Sequence, residues 1–496
     1  MIHRFTFAQL TALAVLLCQF NLALAQAEAT TPAPAQAPEA AKASEAKPAV
    51  NRITGAAPDA RWEEEFAYTL GTQAYIHLFP WLYNSLLRWR WAEQGPASIG
   101  PIPVNTLRHQ RVMMDASHKD GGRPNTDTLY TTGFLDLSRE PMILQVPDMG
   151  ERYYTFQLIN FDADNFGYIG TRATGNRAGT YALVGPDWRG TLPKGVTAVP
   201  AAKTRWILVG GRILVAGPDD LAAVQRLQDQ IKLMTLSQYL GKADAPPTYT
   251  PQPPISRKDD ALADWKNINR ALAECPMPAY DSQIAKMYAQ IGIGPGLDVE
   301  KLSPAMKRGL VRARDAGAMI VTSGPANNVG RSFVNGWGMT PRNWGRTGPD
   351  GEYLKRSAQS LGGIAVHFAE ENIYPAAFHD SAGERLSDDR RYELRFQKGQ
   401  LPPVDAFWSV TLYGPDYNLV ENPANRFAIG DRTPNLEFAD DGSLTLYIQK
   451  DPPGGRKDRN WLPSGTGNFH LVLRAYLPRA EALDGRWQPP PVRRVD

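Results

Sequence analysis

Tyr153-Tyr154-Thr155-Phe156-Gln157-Leu158-Ile159-Asn160 changes character at every step: Tyr154, Phe156 and Leu158 form one set, Tyr153, Thr155 and Gln157 another, more polar one. A period of two is the mark of a strand, because successive side chains leave a pleated chain on opposite faces. One face is fit for a core, and the other is polar enough to meet a ligand or water. The same period recurs at Tyr130 to Leu137, Met142 to Val146, Thr180 to Val184 and Trp206 to Val215, with Gly, Pro, Asp and Asn clusters between. Short strands at this spacing predict an antiparallel sandwich.

On the N-terminal side, from Arg61, the period lengthens. Trp62, Phe66, Leu70, Ala74, Leu78, Leu82 and Leu86 recur every four residues, which predicts a helix that Pro80 should kink or split. On the C-terminal side the helical period returns at Pro218. Leu221, Val224, Leu227, Ile231 and Met234 make an apolar stripe behind Asp219 and Asp220, which suit the positive end of a helix dipole. Further helical stretches at 259–274 and 279–291, and one starting at Ser303-Pro304, complete a helical region over 218–325. Alternation resumes at Tyr392 to Phe396, Ala406 to Tyr413, Ser443 to Gln449 and Asn468 to Leu477. The expected fold is therefore mainly β with a helical insert: an N-terminal β-sandwich (59–217 with its helix), a small helical domain (218–325) and a C-terminal jelly-roll-like β-sandwich (326–496, with a linker and a short helix before it).

Length and composition agree. At 496 residues the chain exceeds a single core. Its 43 glycines and 41 prolines suit many turns. The 54 basic and 51 acidic residues are interspersed, so nothing favours nucleic acid as a partner. Residues 1–25 read as a signal peptide, with His3 and Arg4 before an apolar run and Ala23-Leu24-Ala25 as the cleavage site. The expectation is export, periplasmic or secreted, with no transmembrane segment after cleavage. Residues 26–58, rich in Ala and Pro, read as a disordered linker. Cleavage would leave Cys275 as the one cysteine, without a disulfide partner.

The densest group of hydrogen-bonding side chains is Arg123-Pro124-Asn125-Thr126-Asp127-Thr128-Leu129-Tyr130, a polar loop entering a strand. It is the first candidate site, with a structural Asx turn as the alternative. A second candidate is the polar face of two later strands. There Ser409, Thr411 and Tyr413 alternate with Trp408, Val410 and Leu412, and His470, Val472, Arg474 and Tyr476 alternate with Phe469, Leu471, Leu473 and Leu477. If these polar sets share a concave sheet, they offer an Arg fork, hydroxyls and rings to a sugar or an organic acid.

Other chemistries lack their signatures. The mature histidines show no H-x-H or H-E-x-x-H pairing, and Asp162-Ala163-Asp164-Asn165-Phe166-Gly167 starts like a calcium loop but has Ala173 at the twelfth position. There is no G-x-S-x-G elbow, no P-loop and no dinucleotide fingerprint, so neither metal nor cofactor is expected.

Pro124 to Tyr130, Tyr154 to Asn160 and Gly179-Thr180-Tyr181 with Gly185-Pro186-Asp187-Trp188 resemble the N-terminal domain of unknown function numbered 1254. Leu401 to Tyr413 and Asn460-Trp461-Leu462-Pro463 resemble its usual companion, numbered 1214. The resemblance implies the same three-part architecture and an exported location, and it brings no catalytic residues with it.

The favoured function is the binding of a small molecule, a sugar or organic acid, through Asn125, Asp127, Tyr130, Trp408 and Arg474. An exported hydrolase or lyase with Asp127 as general base and Tyr130 as proton donor is the alternative, and a cell-envelope scaffold using loop 331–346 is a third reading. Substrate and oligomeric state are not legible.

Overall fold

A computed structural model describes residues 61–96, 99–119, 122–242, 249–326, 329–364 and 366–495. The expected signal peptide and the linker over 26–58 lie outside the described residues.

Helix α1 (Arg61–Glu93) runs without interruption through Pro80, so the expected split does not occur. Proline has no N–H to give to the carbonyl four residues back, that of Ile76. The Ser357 hydroxyl donates to that carbonyl instead, and Arg356 Nη2 donates to the next one, His77 O, at 3.3 Å. The buried ridge of α1, including Ala67, Ala74, Tyr75, Leu78 and Trp81, is wider than the four-residue stripe, and Trp62 is exposed.

The N-terminal sandwich is built from β1 (Arg108–His109), β2 (Thr128–Asp136), β3 (Met142–Val146), β4 (Tyr154–Asn160), β5 (Asn165–Gly170), β6 (Gly179–Leu183), β7 (Thr197–Ala198), β8 (Trp206–Leu214) and β9 (Lys232–Thr235). One sheet has the order β1-β2-β8-β4-β5 and the other β7-β6-β3-β9. Between them pack Leu129, Leu135, Phe156, Leu158 and Val209 against Leu144 and Leu183, as the alternation requires. Helix α2 (Leu221–Gln230) adds Val224 to this core. The helical period had reached Met234, yet the chain extends at Ile231 and β9 pairs with β3, Met142 opposite Thr235. Backbone pairing at an open sheet edge outweighs the helix propensity of Lys232, Leu233 and Met234 there.

Helices α3 (Ala263–Glu274), α4 (Ser282–Ala289), α5 (Pro304–Ala326) and α6 (Tyr353–Gly363) surround α1, so the helical layer draws on three separate stretches of chain. The approach of α5 to α1 is close enough that a Cβ at Gly309 would lie 2.3 Å from the Glu64 carbonyl oxygen.

The C-terminal sandwich begins with β10 (Phe333–Val334), β11 (Trp337–Gly338), β12 (Asn372–Ile373) and β13 (Ala376–Ala377). It continues with β14 (Arg391–Phe396), β15 (Val404–Tyr413), β16 (Ala428–Gly430), β17 (Leu444–Gln449), β18 (Trp461–Pro463), β19 (His470–Pro478) and β20 (Val492–Val495). A seven-stranded sheet, β10-β11-β13-β19-β15-β16 with β12 also on β19, faces a four-stranded one, β18-β17-β14-β20. The mainly β fold with a helical insert and two sandwiches is thus present, the second with sheets of unequal size. Among the described residues no helix is long and apolar enough to cross a membrane.

The outer face of the five-stranded sheet is divided. Phe134, Ile159, Trp206 and Leu208 lie in the same core as Trp81, Trp91 and Trp265 of the helical layer. The polar half, with Tyr130, Thr155, Gln157 and Arg212, turns towards the second sandwich. Tyr153, just before β4, packs on Phe407 and Tyr476 with ring centroids 5.5 and 5.2 Å apart.

Candidate functional site: a cavity between the sandwiches

On β15 and β19 the polar sets share one face, as their pairing shows: Phe407 opposite Tyr476, Ser409 opposite Arg474, Thr411 opposite Val472 and Tyr413 opposite His470. This face meets the polar half of the five-stranded sheet around a cavity of about 110 Å³. Tyr130 and Arg212 line it from the first sandwich, and Val472, Arg474 and Tyr476 from the second. Arg123 and Asn125 of the polar loop, Arg331 and Trp344 of the interdomain segment, and Tyr374 complete most of the wall.

Asn125 combines the two roles that its sequence left open. Its Oδ1 accepts from the Asp127 and Thr128 amides, both at 2.9 Å, which is an Asx turn, while its Nδ2 donates to the Tyr476 hydroxyl at 2.8 Å. Tyr130 faces the cavity, its hydroxyl accepting from the Asn125 amide at 3.2 Å. Arg474 is held by Nη1 donating to Thr411 Oγ1 at 3.0 Å and Nη2 donating to the Arg123 carbonyl at 2.8 Å.

Asp127 and Trp408 do not line the cavity. Asp127 is 5% exposed; Ser409 Oγ donates to its Oδ2 at 2.7 Å, and Arg432 pairs with its Oδ1. A general base needs a lone pair directed at substrate, and both oxygens here are occupied in tying one sandwich to the other. Asp127→Asn is accordingly expected to lower stability by about 1–3 kcal/mol, the worth of hydrogen bonds to a charged group. Urea unfolding is the check, and a midpoint unchanged from wild type would remove the tie. Trp408 stands in the core of the second sandwich, 5.4 Å from Phe396 between ring centroids, because alternation gives it the phase of Val410 and Leu412.

Arg212 was missed by sequence reading, whereas Arg123 headed the polar loop and Arg331 opened the 331–346 loop without either being named as a ligand contact. One signal was present: Arg212 is the single charged residue in β8, as Arg474 is in β19. All four guanidinium groups border one small cavity, and none forms an ion pair with a carboxylate among the described residues. Asp127 acts on Arg474 only through space. Arg123 Nε donates to His470 Nε2 at 3.0 Å, and its guanidinium lies 4.4 Å from the Tyr417 ring centroid. Arg212 Nη1 donates to Gln157 Oε1 at 3.2 Å, and Arg331 Nη1 to the Gly338 carbonyl at 2.8 Å.

The electrostatics follow from this enclosure. Burial, and then Arg123 nearby, pushes Arg331 down to about 9, which still leaves it mostly protonated at neutral pH. Burial pushes the Tyr374 and Tyr413 phenols up to about 12 and Tyr476 well above its usual value, so these neighbours stay neutral and cancel no positive charge. Burial, with Arg123, holds His470 well below its usual value, consistent with a neutral ring accepting from Arg123. The cavity is thus positively charged and walled by aromatic rings.

A second buried polar cluster lies under the helices. His77 Nε2 is 3.1 Å from Asp281 Oδ2 and Nδ1 is 3.2 Å from the Tyr288 hydroxyl. Asp164, in the stretch that began like a calcium loop, accepts from the Thr347 and Gly348 amides at 3.0 and 2.7 Å. Asp162 accepts from the Tyr280 hydroxyl at 2.9 Å. Among the described residues no three His, Cys, Asp or Glu side chains gather as metal ligands.

Comparison with known proteins agrees with the two-part organisation. The VPA0106 protein from Vibrio parahaemolyticus, known as a crystal structure, matches with TM-score 0.68 at 24% identity, over 87% of this chain and 100% of that one. It shares the fold. An uncharacterised protein from Burkholderia cenocepacia matches with TM-score 0.40 at 12% identity, over 88% of this chain and 96% of that one. No curated protein matches. The domain described as a protein of unknown function, DUF1254, matches residues 104–235, and the one described likewise as DUF1214 matches residues 371–480. The chain therefore pairs an N-terminal DUF1254 domain with a C-terminal DUF1214 domain, the combination that the resemblance implied.

Proposed function

We propose that this protein binds a small organic acid in the cavity between its two sandwiches. The observation that carries this reading is the set of four guanidinium groups, Arg123, Arg212, Arg331 and Arg474, around one cavity without a carboxylate partner among the described residues. A desolvated cation without a counter-charge is costly, and arginine is the residue best shaped to grip a carboxylate with two parallel hydrogen bonds. A carboxylate ligand supplies the missing charge. The cavity of about 110 Å³ is well below the roughly 300–1,000 Å³ of pockets for drug-sized molecules, which favours a short acid over an oligosaccharide or nucleotide. Between the organic acid and the sugar expected from sequence, the charge favours the acid.

A thermal-shift series tests the reading, because a ligand that binds only the folded state raises the melting temperature. Short carboxylates at millimolar concentration and constant ionic strength are expected to raise it in a saturable way, and neutral sugars to leave it unchanged. An equal response to sodium chloride, or none to any carboxylate, would defeat the proposal. The observation offers no comparable support for hydrolysis at Asp127, whose carboxylate is already committed.

A further inference from the structure

We propose that the ligand is a short dicarboxylic acid, gripped at one end by Arg212 of the first sandwich and at the other by Arg474 of the second. The inference rests on the anion-binding reading above and adds to it the number and placement of the charges.

The argument is one of opposed walls. β8 is the central strand of its five-stranded sheet, and β19 lies inside its seven-stranded sheet. Each carries a single arginine within the strand, and each points it into the same cavity. Neither side chain is free to cross to the other wall. Arg212 is tied to Gln157 at 3.2 Å and stacks over the Tyr130 ring at 5.4 Å, whereas Arg474 is tied to Thr411 and to the Arg123 carbonyl. A single carboxylate reaching one wall leaves the guanidinium on the other uncompensated. A molecule with a carboxylate at each end meets both.

The remaining two arginines strengthen one end. The Arg123 carbonyl receives Arg474, and Arg123 in turn bears on Arg331, so three of the four cations are grouped on the side of the second sandwich. Among the described residues no carboxylate borders the space between the walls; Val472, Trp344 and the phenol-bearing rings of Tyr374 and Tyr476 do. That is the surface a short aliphatic chain would touch. The small volume limits that chain to a few carbons.

Succinate and butyrate share a four-carbon skeleton and differ in the second carboxylate, so isothermal titration calorimetry with these two and inorganic phosphate, at fixed ionic strength, separates the possibilities. Succinate is expected to bind at least 10-fold more tightly than butyrate, equivalent to about 1.4 kcal/mol. Arg212→Met is expected to bring succinate to the affinity of butyrate, because the second carboxylate then has no guanidinium to meet. Equal affinity for succinate and butyrate, or phosphate binding as tightly as succinate, would overturn the two-ended grip and leave the anion site standing. Binding of none of the three would overturn both. The wild-type comparison needs no variant to fold, and Arg212→Lys, which keeps the charge, is expected to retain the succinate preference.

Discussion

Lowering the pH from 7.5 to 5.5 is expected to destabilise the fold markedly against the roughly 5–15 kcal/mol typical of folded proteins. His77, His367 and His470 are 0–1% exposed, and burial, the first cause for each, holds all three below the usual histidine value. Arg212 and Arg172 add to the effect at His367, and Arg123 at His470. A histidine whose folded pKa is depressed binds its proton more readily in the unfolded chain. Its contribution is therefore intact above about 6.5 and lost as the pH falls below that, at up to about 1.4 kcal/mol per pH unit for each group. His109, lowered to about 4 by burial, adds a smaller share because it is only half-buried. Asp164 works the other way. Burial and Asp162 raise it to about 6, so its protonated form stabilises the fold as the pH falls through 6, returning about 1 kcal/mol. Urea unfolding at pH 7.5, 6.5 and 5.5 checks the balance, and a midpoint that does not fall over this range would contradict it.

Removing one arginine should be severe where its charge is answered and mild where it is not. Arg356→Met is expected to cost about 3–5 kcal/mol, the usual penalty for breaking a buried charge pair. Arg356 is fully buried, with Nη1 3.6 Å from Asp162 Oδ2 and its guanidinium over the Trp81 and Tyr353 rings at 5.3 and 5.1 Å. Without it Asp162 and Asp164 remain side by side and buried, and Asp164 rises further. The loss should be greater at pH 8 than at pH 6, because a carboxyl with a raised folded pKa gives stability only while it is protonated. Arg212→Met, by contrast, is expected to shift the unliganded protein by no more than about 1 kcal/mol. It gives up one hydrogen bond to Gln157 and relieves a charge that has no carboxylate partner among the described residues. If both variants lost comparable stability in denaturant titrations, the cavity cations would be structural, and the case for an anionic ligand would fail.

Much of this architecture was readable from residue order. The alternation in Tyr153 to Asn160 assigned Phe156 and Leu158 to a core and Gln157 to the other face, and the same reasoning grouped Ser409 with Thr411 and Arg474 with Tyr476, while the pairing of β15 with β19 brought the two groups to a common side. Alternation also placed Trp408 beside Val410 in the core, so naming it as a ligand contact ran against its own strand's phase. Asp127 looked like a free acid because its partner, Arg432, lies 305 residues further along the chain. Pro80 looked like a helix breaker because the hydroxyl that meets the freed carbonyl, that of Ser357, arrives from α6.

The sequence by itself determined the two sandwiches, the helices between them and the face on which each strand residue stands, because those depend on local periodicity and on burying apolar side chains. Only the tertiary structure decided that Arg123, Arg212, Arg331 and Arg474 border one space, and that Asp127 does not. Whether a charge is answered depends on distances of a few ångströms between groups hundreds of residues apart, and no spacing along the chain encodes them.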